Sequence, residues 1–136
     1  MFSIKKILYP IDLDAEDVSP VVMALEVAKI FNSEIHILYV NDIEAGYRHP
    51  TDREDAVALR VRKVAPEELL DNLKIIYSVS KGDLDKEIVK YCKDNNIDLL
   101  VVGHKHRNKL YSVVFDSADE NIIDAIKLPV LVIPKK

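Results

Sequence analysis

Short apolar runs alternate with amphipathic stretches along the whole chain, and that alternation restricts the fold more than any other feature. Ile4 to Tyr9, Ile35 to Val40, Leu73 to Val79, Leu99 to Val102 and Val130 to Ile133 are runs of strand length with few polar interruptions. Strands that read as near-continuous apolar runs are buried on both faces, which is the habit of parallel sheets. The stretches between them repeat apolar residues at helical spacing: Val21, Ala24, Leu25, Ala28 and Phe31, then Val57, Val61 and Val64, then Leu84, Ile88, Tyr91 and Cys92, then Ile122, Ile123 and Ile126. Strands alternating with helices of this kind pack as a sheet sandwiched between helical layers. The pattern predicts one three-layer α/β/α domain over residues 1–136, with an open, doubly wound, five-stranded parallel sheet.

Local signals place the boundaries. Pro10 closes the first strand, and Ser19-Pro20 reads as an N-cap followed by a first helical residue, for a helix ending near Phe31. A helix from about Arg53 must break at Pro66, leaving a short piece over 67–72. Lys81-Gly82-Asp83 is a turn in which Asp83 can cap the next helix, and Asn95-Asn96 ends that helix. A fourth strand stops at Gly103, a last helix opens on Ser117 and runs to about Ile126, and Pro129 opens the final strand.

Composition excludes several classes of function. The formal net charge is −4 and there is no long basic run, so neither nucleic acid nor anionic lipid is an expected partner. Val21 to Ile30 is interrupted by Glu26 and Lys29, and no apolar stretch approaches the ~20 residues of a membrane helix. The first residues lack the apolar core of a signal peptide, and one cysteine, Cys92, permits neither an internal disulfide nor a multi-cysteine zinc cluster. A cytoplasmic protein is expected.

In open α/β sheets, ligands bind past the carboxyl ends of strands, where the connection changes side. Residues 97–117 look like such a place: an apolar run stops at Gly103, His104-Lys105-His106-Arg107 follow, and a helix opens on Ser117. The three glycines, Gly46, Gly82 and Gly103, are too far apart to form a P-loop or a G-x-G-x-x-G turn. Gly103 either lets a ligand approach the backbone or merely closes a strand. Ser117 either meets a phosphate at a helix N-terminus or caps the helix. His104 and His106 with their neighbouring cations suit an anion, or a metal shared with Asp12 or Asp116, but the sequence locates no third ligand, and no metal site is assigned. His36 and His49 stand in no motif, and Cys92 on an apolar helix face reads as a core residue.

Four segments in order carry a family resemblance: Ile7-Leu8-Tyr9-Pro10-Ile11-Asp12, Lys81-Gly82-Asp83 before Glu87-Ile88-Val89, Asp98-Leu99-Leu100-Val101-Val102-Gly103-His104, and Pro129-Val130-Leu131-Val132-Ile133-Pro134. With these the chain resembles the universal stress protein family over essentially its whole length. The resemblance implies strand order 3-2-1-4-5, the adenine nucleotide alpha hydrolase-like arrangement. It places Asp12 near the ribose and adenine, where the residues alone also allow a loop carboxylate before the first helix. It adds Val40, Gly103, His104, His106 and Ser117 to a reduced nucleotide-binding set.

ATP-binding members of that family carry G-x2-G-x9-G-[S/T] after the fourth strand. Here Gly103 and Ser117 match, while His106 and Asp116 replace the second and third glycines. Side chains there hinder close backbone approach. Asp116 would also repel a phosphate by about 1–4 kcal/mol at contact range, depending on the effective dielectric. The resemblance therefore implies the branch that does not bind ATP tightly: a non-enzymatic stress-response protein with no cofactor, acting through dimerisation and partners. The homodimer would form along the last strand, Val130-Leu131-Val132-Ile133, whose apolar edge otherwise invites aggregation. The alternative is an ATP-binding stress protein with weak hydrolysis, in which His106 and Arg107 substitute charge for the glycine cradle. A pyrophosphatase-type enzyme on a related fold needs a glycine- and serine-rich loop after the first strand, and Pro10-Ile11-Asp12-Leu13-Asp14 has neither.

Overall fold

The computed structural model describes residues 3–13, 18–41, 54–103 and 127–134. Within them lie five strands, β1 (Lys6–Pro10), β2 (Glu34–Asn41), β3 (Ile75–Lys81), β4 (Leu99–Gly103) and β5 (Val130–Ile133), and four helices, α1 (Val21–Phe31), α2 (Glu54–Val64), α3 (Glu67–Asp71) and α4 (Leu84–Asp94). All strand pairs are parallel, in the order β3-β2-β1-β4-β5. This is the doubly wound arrangement that the alternation and the resemblance implied. The last helix expected from Ser117 lies outside the described residues.

Successive residues of each strand serve opposite faces of the sheet. Ile7, Tyr9, Ile35, Ile37, Leu99 and Val101 pack with Val21, Ala24, Leu25 and Ala28 of α1, Val57 and Val61 of α2, and Leu69 of α3. On the other face Leu8, Leu38, Val40, Leu100 and Val102 pack with Leu84, Ile88 and Cys92 of α4. Two buried faces explain why these strands show no polar alternation. Each fully buried aliphatic side chain contributes about 1.5–3 kcal/mol through removal from water.

Hydrogen bonds move several boundaries from their expected places. Strand β1 starts at Lys6 rather than Ile4, since its pairing begins with Lys6 opposite Glu34. Strand β3 runs two residues later than 73–79. Leu73 and Lys74 belong to the turn, where the Lys74 carbonyl accepts from the Ile35 amide, and the strand then includes the polar residues Ser80 and Lys81. Helix α1 starts at Val21 with Pro20 at the cap position, and the Val18 and Ser19 carbonyls accept from the Val21 and Val22 amides. Phe31, expected on the buried face, is 48% exposed, because the chain turns left-handed at Asn32 (φ 53°) and the helix stops there. Asp83 occupies the cap of α4 without a capping side-chain bond: its carbonyl accepts from the Glu87 amide and its carboxylate meets Lys86 Nζ at 3.3 Å. Pro66 does break the helical stretch, separating α2 from α3.

The entry to β1 is held by side chains. The Asp98 carboxylate accepts from the Lys5 and Lys6 amides at 2.9 and 3.0 Å, and Ser33 Oγ donates to the Ile4 carbonyl. Just before β5, Lys127 adopts a φ of 54°, a left-handed conformation that costs a residue with a Cβ more than it costs glycine. Lys127→Gly should stabilise the protein by about 0.5–1 kcal/mol, read from urea denaturation with an unchanged m-value.

Candidate functional site

Strand β1 is the point where the sheet's winding reverses: the chain passes through α1 to β2 on one side, while β4 pairs on the other. Ligand crevices form at this kind of switch point. The pairing Ile7↔Leu99 and Leu8↔Leu100, carried forward, sets Gly103 one residue beyond Pro10, and β2 continues to Asn41. The loop over 11–13 thus leaves the sheet through a notch between the ends of β2 and β4.

That loop is anchored on several sides. The Ile11 amide donates to the Leu38 carbonyl at 2.8 Å, and Arg60 Nη1 of α2 donates to the Leu13 carbonyl at 3.1 Å. The side chains of Ile11 and Leu13 are buried in the α1-side core, while Asp12 between them is partly exposed. Asp12 lies close enough to Tyr9 for its charge to add to the effect of burial, which is the main reason the Tyr9 hydroxyl is harder to ionise.

The register therefore sets Asp12, Val40 and Gly103 at the same end of the sheet, at or just past the carboxyl ends of β1, β2 and β4. The Val40 side chain is packed in the α4-side core, so a ligand there would meet its backbone. His104, His106, Asp116 and Ser117 lie outside the described residues. Sequence reading missed three residues at this end of the sheet. Arg60 is one, since nothing in a helical pattern marks which surface arginine reaches a distant carbonyl. Asn41 and Ser80 are the others: Asn41 Oδ1 and Ser80 Oγ are buried atoms that lack a hydrogen-bond partner among the described residues. Their signal was polarity within an otherwise apolar strand end.

A second polar cluster lies under α4. His36, 3% exposed, contacts Glu34 Oε2 through Nε2 at 2.5 Å and the Tyr91 hydroxyl through Nδ1 at 2.6 Å. A carboxylate only accepts, so Nε2 carries a hydrogen, and a neutral ring then accepts the Tyr91 O–H at Nδ1. Tyr91 in turn meets Ser78 Oγ at 2.9 Å, and Lys74 Nζ reaches Glu34 Oε1 at 2.9 Å. The cluster ties β2, β3 and α4 together and stands at the opposite end of β2 from the crevice. Cys92 beside it is buried, and burial pushes its thiol up to about 12, so it is no nucleophile.

At the sheet edge, Leu131 is 40% exposed, Val130 and Val132 are partly exposed, and Ile133 is buried in the α1-side core. No helix among the described residues is long and apolar enough to cross a membrane.

An open parallel sheet whose winding reverses at the central strand defines a doubly wound α/β protein. The universal stress protein family model matches residues 3–134, and the chain belongs to that family. It is similar to universal stress protein MJ0531 of Methanocaldococcus jannaschii, 28% identical over 142 residues that span 96% of this chain and 82% of that protein. Among solved structures it shares its fold with universal stress protein UspA from Lactobacillus plantarum, with a TM-score of 0.66, 22% identity, and 98% and 99% of the two chains covered. A universal stress protein solved in complex with cAMP matches with a TM-score of 0.64 and 17% identity over 98% and 99% of the chains.

The Glu34 carboxyl is held below the usual carboxylate range, first by the hydrogen bond from Lys74 and further by His36, against an opposing effect of burial. A group lowered on folding contributes stability above its unfolded pKa and loses it as pH falls through the folded value. In Lys74→Ala the Glu34 titration should therefore move up toward the ordinary range. Above the ordinary carboxylate range the variant should be less stable than the parent, and the share of acid destabilisation that Glu34 contributes should shrink and be complete at higher pH, as followed by NMR titration and by thermal unfolding between pH 3 and 7.

Proposed function

We propose that this chain is a non-enzymatic regulator of the stress response, cytoplasmic and homodimeric, whose crevice binds adenine nucleotides only weakly. One juxtaposition carries the reading. Strand β1, which ends just before Asp12, lies beside β4, which ends at Gly103, at the switch point, yet the sequence beyond Gly103 puts His106 and Asp116 where ATP-binding relatives have glycine. A phosphate chain binds through bare backbone amides, and two side chains, one of them anionic, oppose that contact. The apolar edge of β5, with Leu131 exposed, supports pairing with a second copy.

A second reading, nucleotide binding with slow hydrolysis, draws on the same Asp12 and Gly103 positions and on the cAMP complex of the structural neighbour. Calorimetric titration with ATP and magnesium separates the two: a Kd weaker than about 10 µM is expected, and a tighter one rejects the first reading. Restoring the glycines in a His106→Gly, Asp116→Gly double variant should tighten ATP binding tenfold or more. Leu131→Glu should convert the dimer to monomer in analytical ultracentrifugation at micromolar concentration, with circular dichroism unchanged.

A further inference from the structure

We propose that Arg60 is a positioning residue for the crevice: from α2, its guanidinium holds the loop that carries Asp12 in the shape a ligand meets. The proposal rests on the nucleotide-crevice reading above and adds to it a control point on another element. Helix α2 buries Val57, Ala58 and Val61 and packs toward β3, on the far side of β2 from the crevice loop. Arg60 spans that distance and donates from Nη1 to the Leu13 carbonyl at 3.1 Å, across 47 residues of sequence.

The bond lies where the loop has left the strand ladder. Beyond Pro10 the strand ladder ends, and among the described residues the Ile11 amide still ties the loop to β2 through the Leu38 carbonyl. Burial of Ile11 and Leu13 fixes the side chains on either side of Asp12, while apolar packing, being non-directional, leaves open the orientation of the peptide that carries the Leu13 carbonyl. A charged donor on the Leu13 carbonyl supplies that orientation, since a hydrogen bond from an ionised group is stronger than a neutral one. Arginine suits the role because its long stem lies along apolar surface while its planar head keeps further donors for other acceptors. Helix α2 is thereby linked to the loop at Leu13, the residue next to Asp12.

The test measures amide hydrogen exchange and ATP affinity on the full chain. Arg60→Ala should speed exchange of the amides of residues 11–13 tenfold or more, leave the amides of Ile37 and Tyr39 unchanged, and weaken ATP binding at least fivefold in a millimolar-range titration. Arg60→Lys, which keeps a cationic donor, should restore most of both. Unchanged exchange in Arg60→Ala overturns the proposal. So does faster exchange with ATP affinity unaltered, since the held loop would then be no part of the site. If the unsubstituted protein shows no saturable ATP binding at all, the nucleotide reading fails, and Arg60 is judged by the exchange of residues 11–13 alone.

Discussion

Strand β1 is hydrogen-bonded on both sides and apolar on both faces, and every other part of the molecule takes its place from that. A parallel strand cannot reach its neighbour through a tight turn, so each connection must cross the sheet with a longer segment, usually a helix. With β2 and β3 on one side of β1 and β4 and β5 on the other, the crossovers cover both faces. The side chains of β1 divide accordingly, Ile7 and Tyr9 toward α1 and Leu8 toward α4. The reversal of direction at β1 also leaves the notch through which its following loop escapes.

Polar anchors mark the two ends of that strand. At its entry, one carboxylate, Asp98, gathers two backbone amides that would otherwise lack a partner in the ladder. At its exit, Ile11 and Leu13 sink into the core while Arg60 grips the Leu13 carbonyl. Apolar packing alone is non-directional and leaves a loop's peptide planes free to rotate. Directional bonds at the points where the ladder stops supply the missing orientation. The Glu34, His36, Tyr91 and Ser78 cluster does the same for the docking of α4, and its members satisfy one another, which makes a buried histidine tolerable.

Membership of the universal stress protein family leaves open what each member's crevice holds, because a fold is a scaffold on which sites differ. This chain keeps a carboxylate just past β1, Asp12, and the glycine that ends β4. The glycines that would expose backbone to a phosphate chain are replaced by His106 and Asp116. The sheet itself is stabilised by the apolar side chains on its two faces, so its presence does not depend on which residues stand beyond Gly103.

The class and order of elements were legible in the residues because period and burial are local properties of a sequence. Continuous apolar runs announced strands covered on both faces, Pro66 announced a break between two helices, and Gly103 announced the end of β4. Boundaries set by pairing were not legible: β3 shifted by two residues because Ile75 onward finds partners on β2, whatever the polarity of Ser80 and Lys81. Nor did helical spacing reveal that Phe31 would stand half in solvent, since it reports a face and not where the covering sheet ends. Residues Asp98 and Arg60 gained their roles from groups 92 and 47 positions away, which no local pattern encodes. The sequence by itself determined the fold class and the residue types available at the crevice. The tertiary structure alone decided which of them meet, because strand order and hydrogen-bond partners depend on distances in space and not on separation along the chain.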